Sequence, residues 1–174
     1  MAEYVFRGKV FSVKVEEVKL PSGVKALKEV VEHPGAVVIL PFKDGKLIMV
    51  VQYRAAVGEW LLELPAGTLE EGENPYQCAL RELEEETGFR ASKLEKLFEM
   101  YLAPGYSTEK MHVFVAKDLT PSKVKLEKDE VINVKEISFS EALNMVRDGV
   151  IKDAKTISTL LYAKAFLQQR YQLG

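Results

Sequence analysis

The chain has 174 residues, 47% of them hydrophobic and 29% charged, with a formal net charge of −2. That length suits one domain able to remove about 70% of its unfolded surface from water, and the near-neutral balance excludes a global basic field that would gather nucleic acid. The lone cysteine, Cys78, excludes an internal disulfide, His33 and His112 stand too far apart to suggest a zinc site, and no apolar run approaches the roughly 18 residues that span a bilayer. A cytoplasmic protein without membrane or nucleic-acid partners is the expectation.

The segment VFRGKVFSVKVEEV, from Val5 to Val18, alternates apolar and polar residues as strands with one buried face do. A Pro21-Ser22-Gly23 turn is expected to fold VKALKEVVEH back as its antiparallel partner. AVVIL then reads as a central strand covered on both sides, followed by a Lys43-Asp44-Gly45 turn and the strand KLIMVVQYR. Beyond the segment EWLLELPAG and an acidic helix, KLEKLFEMYL and KMHVFVAKDL read as strands joined by the loop APGYSTE. Thr120 to Glu130 is polar and loop-like, and VINVKEISF is strand-like. SEALNMVRDG is read as a short helix opened by Ser140, and DAKTISTLLYAKAFLQQRYQ as a longer terminal helix.

The acidic helix carries the strongest local signals. Asn74 suits its cap, Pro75 its first position, Gln77 a capping box and Gly88 its left-handed end. At about 100° per residue, Tyr76, Ala79, Leu80, Leu83 and Thr87 gather on one side, and Glu82, Glu85 and Glu86 on another. Like charges at these spacings cost a few tenths of a kcal/mol per pair, and negative charge in the last turns opposes the helix dipole. No lysine stands in register to relieve them, so the face is expected to need an external cation. The preceding loop PAGTLEEGE has glycines that let carbonyls turn inward, and such hard oxygen donors suit Mg²⁺ or Mn²⁺, ions that serve phosphate chemistry. A solvated charged face is the competing reading.

Gly67, five residues, Glu73, seven residues, then Arg81-Glu82-Leu83, one residue, Glu85-Glu86, one residue and Gly88-Phe89 together resemble a complete Nudix box, the signature of hydrolases that cleave a nucleoside diphosphate linked to another group. The resemblance implies an α/β/α sandwich with mixed sheets, here preceded by a small antiparallel N-terminal β element. It divides the chain into an N-terminal hairpin subdomain, residues 1–35, and a Nudix hydrolase domain, residues 36–174. It also implies that Glu82, Glu85 and Glu86, with the Ala66 carbonyl, ligate Mg²⁺, for which Mn²⁺ can substitute. Glu85 and Arg81 count among the catalytic residues, Arg81 and Glu73 by bracing loop and helix. In LEKDEVINV the resemblance implies a later acid, with Glu130 as ligand and Glu127 as base, whereas ordinary loop solvation is the alternative.

QYR (Gln52 to Arg54), ELPAG (Glu63 to Gly67) and Pro104 in APGYSTE resemble the branch that hydrolyses ADP-ribose to AMP and ribose 5-phosphate. Gln52, Arg54, Glu63 and Glu109 are then candidate substrate contacts. Arg54 either forks onto phosphate or pairs with an acid such as Glu63. Tyr4, Phe6 and Tyr53 either stack on adenine or fill strand core. The branch commonly forms homodimers through N-terminal strands, and Trp60 belongs either to such an interface or to the core. Alternatives within the resemblance are a pyrophosphatase for a nucleotide sugar, dinucleotide cofactor or diadenosine polyphosphate, and a nucleotide sensor without turnover.

Overall fold

A computed structural model describes residues 2–123 and 131–171. Three strands, β1 (Ala2–Arg7), β2 (Ser12–Lys19) and β3 (Lys25–Glu32), form an antiparallel N-terminal sheet in the order β1-β2-β3. The remaining strands are β4 (Ala36–Lys43), β5 (Lys46–Arg54), β6 (Glu59–Glu63), β7 (Ala66–Thr68), β8 (Phe89–Tyr101), β9 (Lys110–Pro121) and β10 (Ile132–Ser138). They build a seven-stranded mixed sheet in the order β10-β5-β4-β9-β8, with β6 on β5 and β7 on β4. Its β4 and β9 run parallel, whereas the other pairs are antiparallel. The helices are α1 (Pro75–Thr87), α2 (Phe139–Arg147), α3 (Ala154–Phe166) and the short α4 (Gln168–Tyr171).

The apolar run in β4 explains the layering. Val37, Val38, Ile39 and Leu40 are all fully buried, and strand alternation sends them to opposite faces. Val38 and Leu40 pack with Ala142 of α2 and Leu160 and Ala163 of α3. On the other face Val37 and Ile39 pack with Cys78, Ala79 and Leu83 of α1. The result is the expected α/β/α sandwich, with α1 on one face and α2 and α3 on the other. Each fully buried aliphatic side chain contributes about 1.5–3 kcal/mol, so β4 anchors both layers. Asp44 and Gly45 at φ 50° and 80° make the tight turn that returns the chain as β5.

Two local readings are corrected and two open ones are narrowed. Ser138, not Ser140, opens α2: its hydroxyl accepts from the Glu141 amide at 3.2 Å. The terminal helix divides at Leu167 into α3 and α4. In α1 the buried side comprises Cys78, Ala79, Leu83, Glu86 and Thr87, whereas Tyr76 is exposed with its ring edge on Phe114. Trp60, Tyr53 and Phe6 are about half exposed, so none fills a core; Trp60 and Tyr53 pack on each other with ring centroids 5.5 Å apart.

Candidate active site

The glutamate helix begins as its sequence dictates. Asn74 is its extended cap, accepting from the Tyr76 and Gln77 amides at 3.0 Å, and Gln77 completes the capping box. Gly88, at φ 72°, ends it, a left-handed turn that a side chain would strain. Between β6 and this helix the chain passes through Pro65, Ala66 and Gly67, held to the sheet by the Ile39 amide donating to the Pro65 carbonyl at 2.9 Å. Gly67 is required by proximity: a Cβ placed there would lie 1.9 Å from Glu82 Cδ. The backbone of the loop therefore runs directly against the carboxylates.

Arg81 organises these acids, a cation within the helix that stands where no lysine does. Its Nε and Nη2 each donate to Glu73 at 2.9 Å, while Nη1 reaches Glu82 at 2.7 Å and Glu85 at 3.1 Å. Nη2 also touches the Thr68 carbonyl at 3.3 Å, stitching helix to loop. The fork beside Glu73 holds that carboxyl down to about 2, and the same acids push the guanidinium upward. The arginine is legible in the sequence, but its reach is not: a rigid guanidinium with five donors serves three acids at once, where no lysine stands in register.

Glu86 is buried at 2% exposure, and its carboxylate accepts from the Ala66 amide at 3.0 Å. Sequence-expected metal ligands Glu82, Glu85, Glu86 and Ala66 thus meet along one seam between α1 and β7. Among the described residues no three acids stand grouped to hold a metal ion: Arg81 engages Glu82 and Glu85, and Glu86 accepts from the Ala66 amide. The donor set nevertheless fits a hard divalent ion: carboxylate oxygens and a backbone turn, packed so closely that a side chain at position 67 would displace the Glu82 carboxylate. Glu127 and Glu130 lie outside the described residues.

A second network adjoins the first. Val50, paired with Glu63 across β5 and β6, shares its sheet face with Gln52 and Arg54. Arg54 forks onto Glu63 through Nε at 2.9 Å and Nη2 at 2.7 Å, so of the two readings of Arg54 the ion pair is present. Glu63 is 1% exposed, and Lys155 of α3 also donates to it. Burial raises the Glu63 carboxyl, but the hydrogen bonds from Arg54 and the charge of Lys155 outweigh burial and leave it below the ordinary range. Arg54 is raised by its bond to Glu63 and further by the charges of Glu86 and Asp153, which ties the two networks electrostatically. Gln52 is buried, and its amide oxygen has no partner among the described residues. Glu109 lies just before β9, its amide donating to Ser107 Oγ at 3.1 Å.

Sequence reasoning missed the α3 contribution. Asp153 caps α3, accepting from the Thr156 amide at 3.0 Å and hydroxyl at 2.6 Å, and pairs with Lys155 at 2.9 Å. Thr156 Oγ1 in turn accepts from the Leu64 amide at 2.9 Å. Only the cap is visible in DAKT, because the partners Glu63 and Leu64 are 92 residues distant.

Comparisons with known proteins bear on the family and the fold. A model of the NUDIX domain matches residues 31–160. The chain is 45% identical to "ADP-ribose pyrophosphatase" of Bacillus subtilis (strain 168), over 92% of this chain and 88% of that protein. It is 39% identical to "Methanol dehydrogenase activator" of Bacillus methanolicus, with the same two coverages, 92% and 88%. It is 37% identical to "GDP-mannose pyrophosphatase" of Yersinia pestis (strain Pestoides F), over 88% and 81%. A crystal structure of an "ADP compounds hydrolase" superposes with a TM-score of 0.85 at 28% identity, covering 99% of this chain and 94% of the other. With the intact box folded as described, this chain belongs to the NUDIX domain family.

Proposed function

We propose that this protein hydrolyses the pyrophosphate bond of ADP-ribose to AMP and ribose 5-phosphate, with Mg²⁺ as its cofactor and Mn²⁺ as a substitute. The observation that carries the reading is the seam where Glu86 receives the Ala66 amide at 3.0 Å while Arg81 gathers Glu82 and Glu85. It is supported by the 45% identity to an ADP-ribose pyrophosphatase. Glu82, Glu85, Glu86 and the Ala66 carbonyl would hold the ion, and a bound divalent ion supplies charge neutralisation at phosphate and a more acidic water. Arg81 orients Glu82 and Glu85 through its hydrogen bonds. Arg54, with Glu63 behind it and Gln52 beside it on the same sheet face, offers a planar fork to a phosphate. Water adds to one phosphorus, the bridging P–O bond breaks, and a carboxylate takes the proton; Glu127, Glu130 and, from the β9 side, Glu109 are the acids proposed around that water.

The N-terminal sheet, residues 1–35 in this reading, exposes Val5, Phe6, Phe11 and Leu27, and the Tyr53–Trp60 pair is also exposed. These surfaces support a homodimer. No helix among the described residues is long and apolar enough to cross a membrane, and with a buried free Cys78 this supports a reduced, cytoplasmic setting.

Chromatography of ADP-ribose incubated with the protein, with and without Mg²⁺ and beside Glu86→Gln, tests the reading. Metal-dependent release of AMP, lost in the variant, is expected; saturable binding without turnover would make the protein a sensor. The 37% identity to a GDP-mannose pyrophosphatase favours a nucleotide sugar as the second substrate to compare, and a higher kcat/KM for it would replace ADP-ribose in the reading.

A further inference from the structure

Lys155 stands out among the charged residues. It is 8% exposed, lies 92 residues from its partner Glu63 and belongs to no motif of the box. Burying a lysine is costly unless its charge is matched; Asp153 supplies one anion at 2.9 Å, yet Lys155 also shares Glu63, which already has a complete partner in the Arg54 fork. A second cation on the same carboxylate needs a reason. Alone, Arg54 and Glu63 would form a closed neutral pair with little field left for an anion. With Lys155 on Glu63, the carboxylate stays compensated when Arg54 gives part of its hydrogen bonding to another anion. The side chain of Arg54 is 38% exposed, and Nε and Nη2 hold Glu63, so among the described residues its Nη1 edge is the part open to a ligand. Asp153 anchors Lys155 at 2.9 Å and caps α3 through the Thr156 amide and hydroxyl.

We propose that Lys155 is a positioning residue for Arg54: it supplies the buried counter-charge to Glu63 that lets Arg54 present its guanidinium to a phosphate of the diphosphate substrate. The inference rests on the hydrolase reading above. The chemistry needed is a compact cation on a flexible stem that reaches the buried Glu63 Oε2, the oxygen that Arg54 Nη2 also holds.

The test uses steady-state kinetics on ADP-ribose with the whole chain and Mg²⁺. Lys155→Met keeps the apolar stem and removes the charge, Lys155→Gln keeps a donor without charge, and Lys155→Arg keeps the charge. Both neutral variants are expected to raise KM about tenfold with kcat within about twofold, as loss of one poorly screened charge near a phosphate implies. Lys155→Arg is expected to recover most of the loss. A purely structural lysine would lower the melting temperature and leave KM unchanged, and that outcome overturns the proposal. Failure of the wild type to turn over ADP-ribose would instead overturn the hydrolase reading. A crystal of the wild type with a non-hydrolysable ADP-ribose analogue serves independently of any variant. Arg54 on a phosphate with Lys155 still on Glu63 is expected, and Arg54 out of reach of every phosphate would overturn the proposal.

Discussion

Arg81 and Glu73 face each other fork to fork, eight residues apart in sequence, through two hydrogen bonds of 2.9 Å. This contact closes the loop between β7 and α1 and leaves the third nitrogen of the guanidinium for Glu82 and Glu85. Arg81→Lys keeps the charge and loses the fork. Residues that orient metal ligands are typically worth 10–100-fold in metal affinity or activity, and a decrease in that range is expected here. Titration of activity with Mg²⁺ measures it.

The same pair sets a pH dependence. Glu73 is held near 2 from an ordinary 4.5, with the Arg81 hydrogen bond as the largest cause. A carboxyl lowered on folding adds stability that is fully present above its unfolded value and lost as pH falls toward the folded one. Between about pH 4.5 and 2, then, the stability gap between wild type and Glu73→Gln is expected to shrink. Denaturant titrations at pH 7 and pH 3 check this, and equal gaps would contradict it.

Gly67→Ala forces the new methyl onto the Glu82 carboxylate, since the clash is at 1.9 Å with the far end of that side chain. Glu82 swings away more cheaply than the backbone moves. The expected outcome is a folded protein with a near-native circular dichroism spectrum and Mg²⁺ affinity lowered by about tenfold or more.

Divalent metal is expected to tighten α1. Three glutamates near the helix C-terminus oppose the dipole, and an ion held by them removes that penalty. Hydrogen exchange of amides from Leu80 to Gly88 should slow on adding Mg²⁺, and the melting temperature should rise with concentration as binding linkage requires. Exchange indifferent to metal would count against Glu82, Glu85 and Glu86 as ligands.

Ser138→Ala removes the acceptor for the Glu141 amide at the start of α2 and is expected to cost about 1 kcal/mol, whereas Ser140→Ala should cost little. Thermal denaturation of the two variants separates them.

What the chain declares in advance follows the range of the forces involved. Asn74, Pro75, Gln77 and Gly88 act within one or two helical turns, so α1 is legible to its ends. The unbroken apolar run of β4 foretells burial on both faces, and α1 covers one of them while α2 and α3 cover the other. Ser140 misleads because two serines flank the start of α2 and only the extended backbone at Ser138, φ −66° and ψ 151°, selects the cap. The glutamate face is readable as a charge problem, yet the partner that Arg81 chooses depends on how the preceding loop folds. Lys155 leaves no trace, since nothing in a lysine at a helix start announces a carboxylate so distant in the chain.

The docking of Thr156 and Lys155 onto Leu64 and Glu63 makes the order of synthesis matter. A ribosome delivers the whole glutamate box long before it delivers α3. Until then the Leu64 amide lacks its acceptor and Glu63 has one cation instead of two, so the strand leading to Ala66 is unsettled. Interrupted chains that end before Asp153 carry every residue of the signature but lack the α3 contacts to Glu63 and Leu64 that back the strand leading into it.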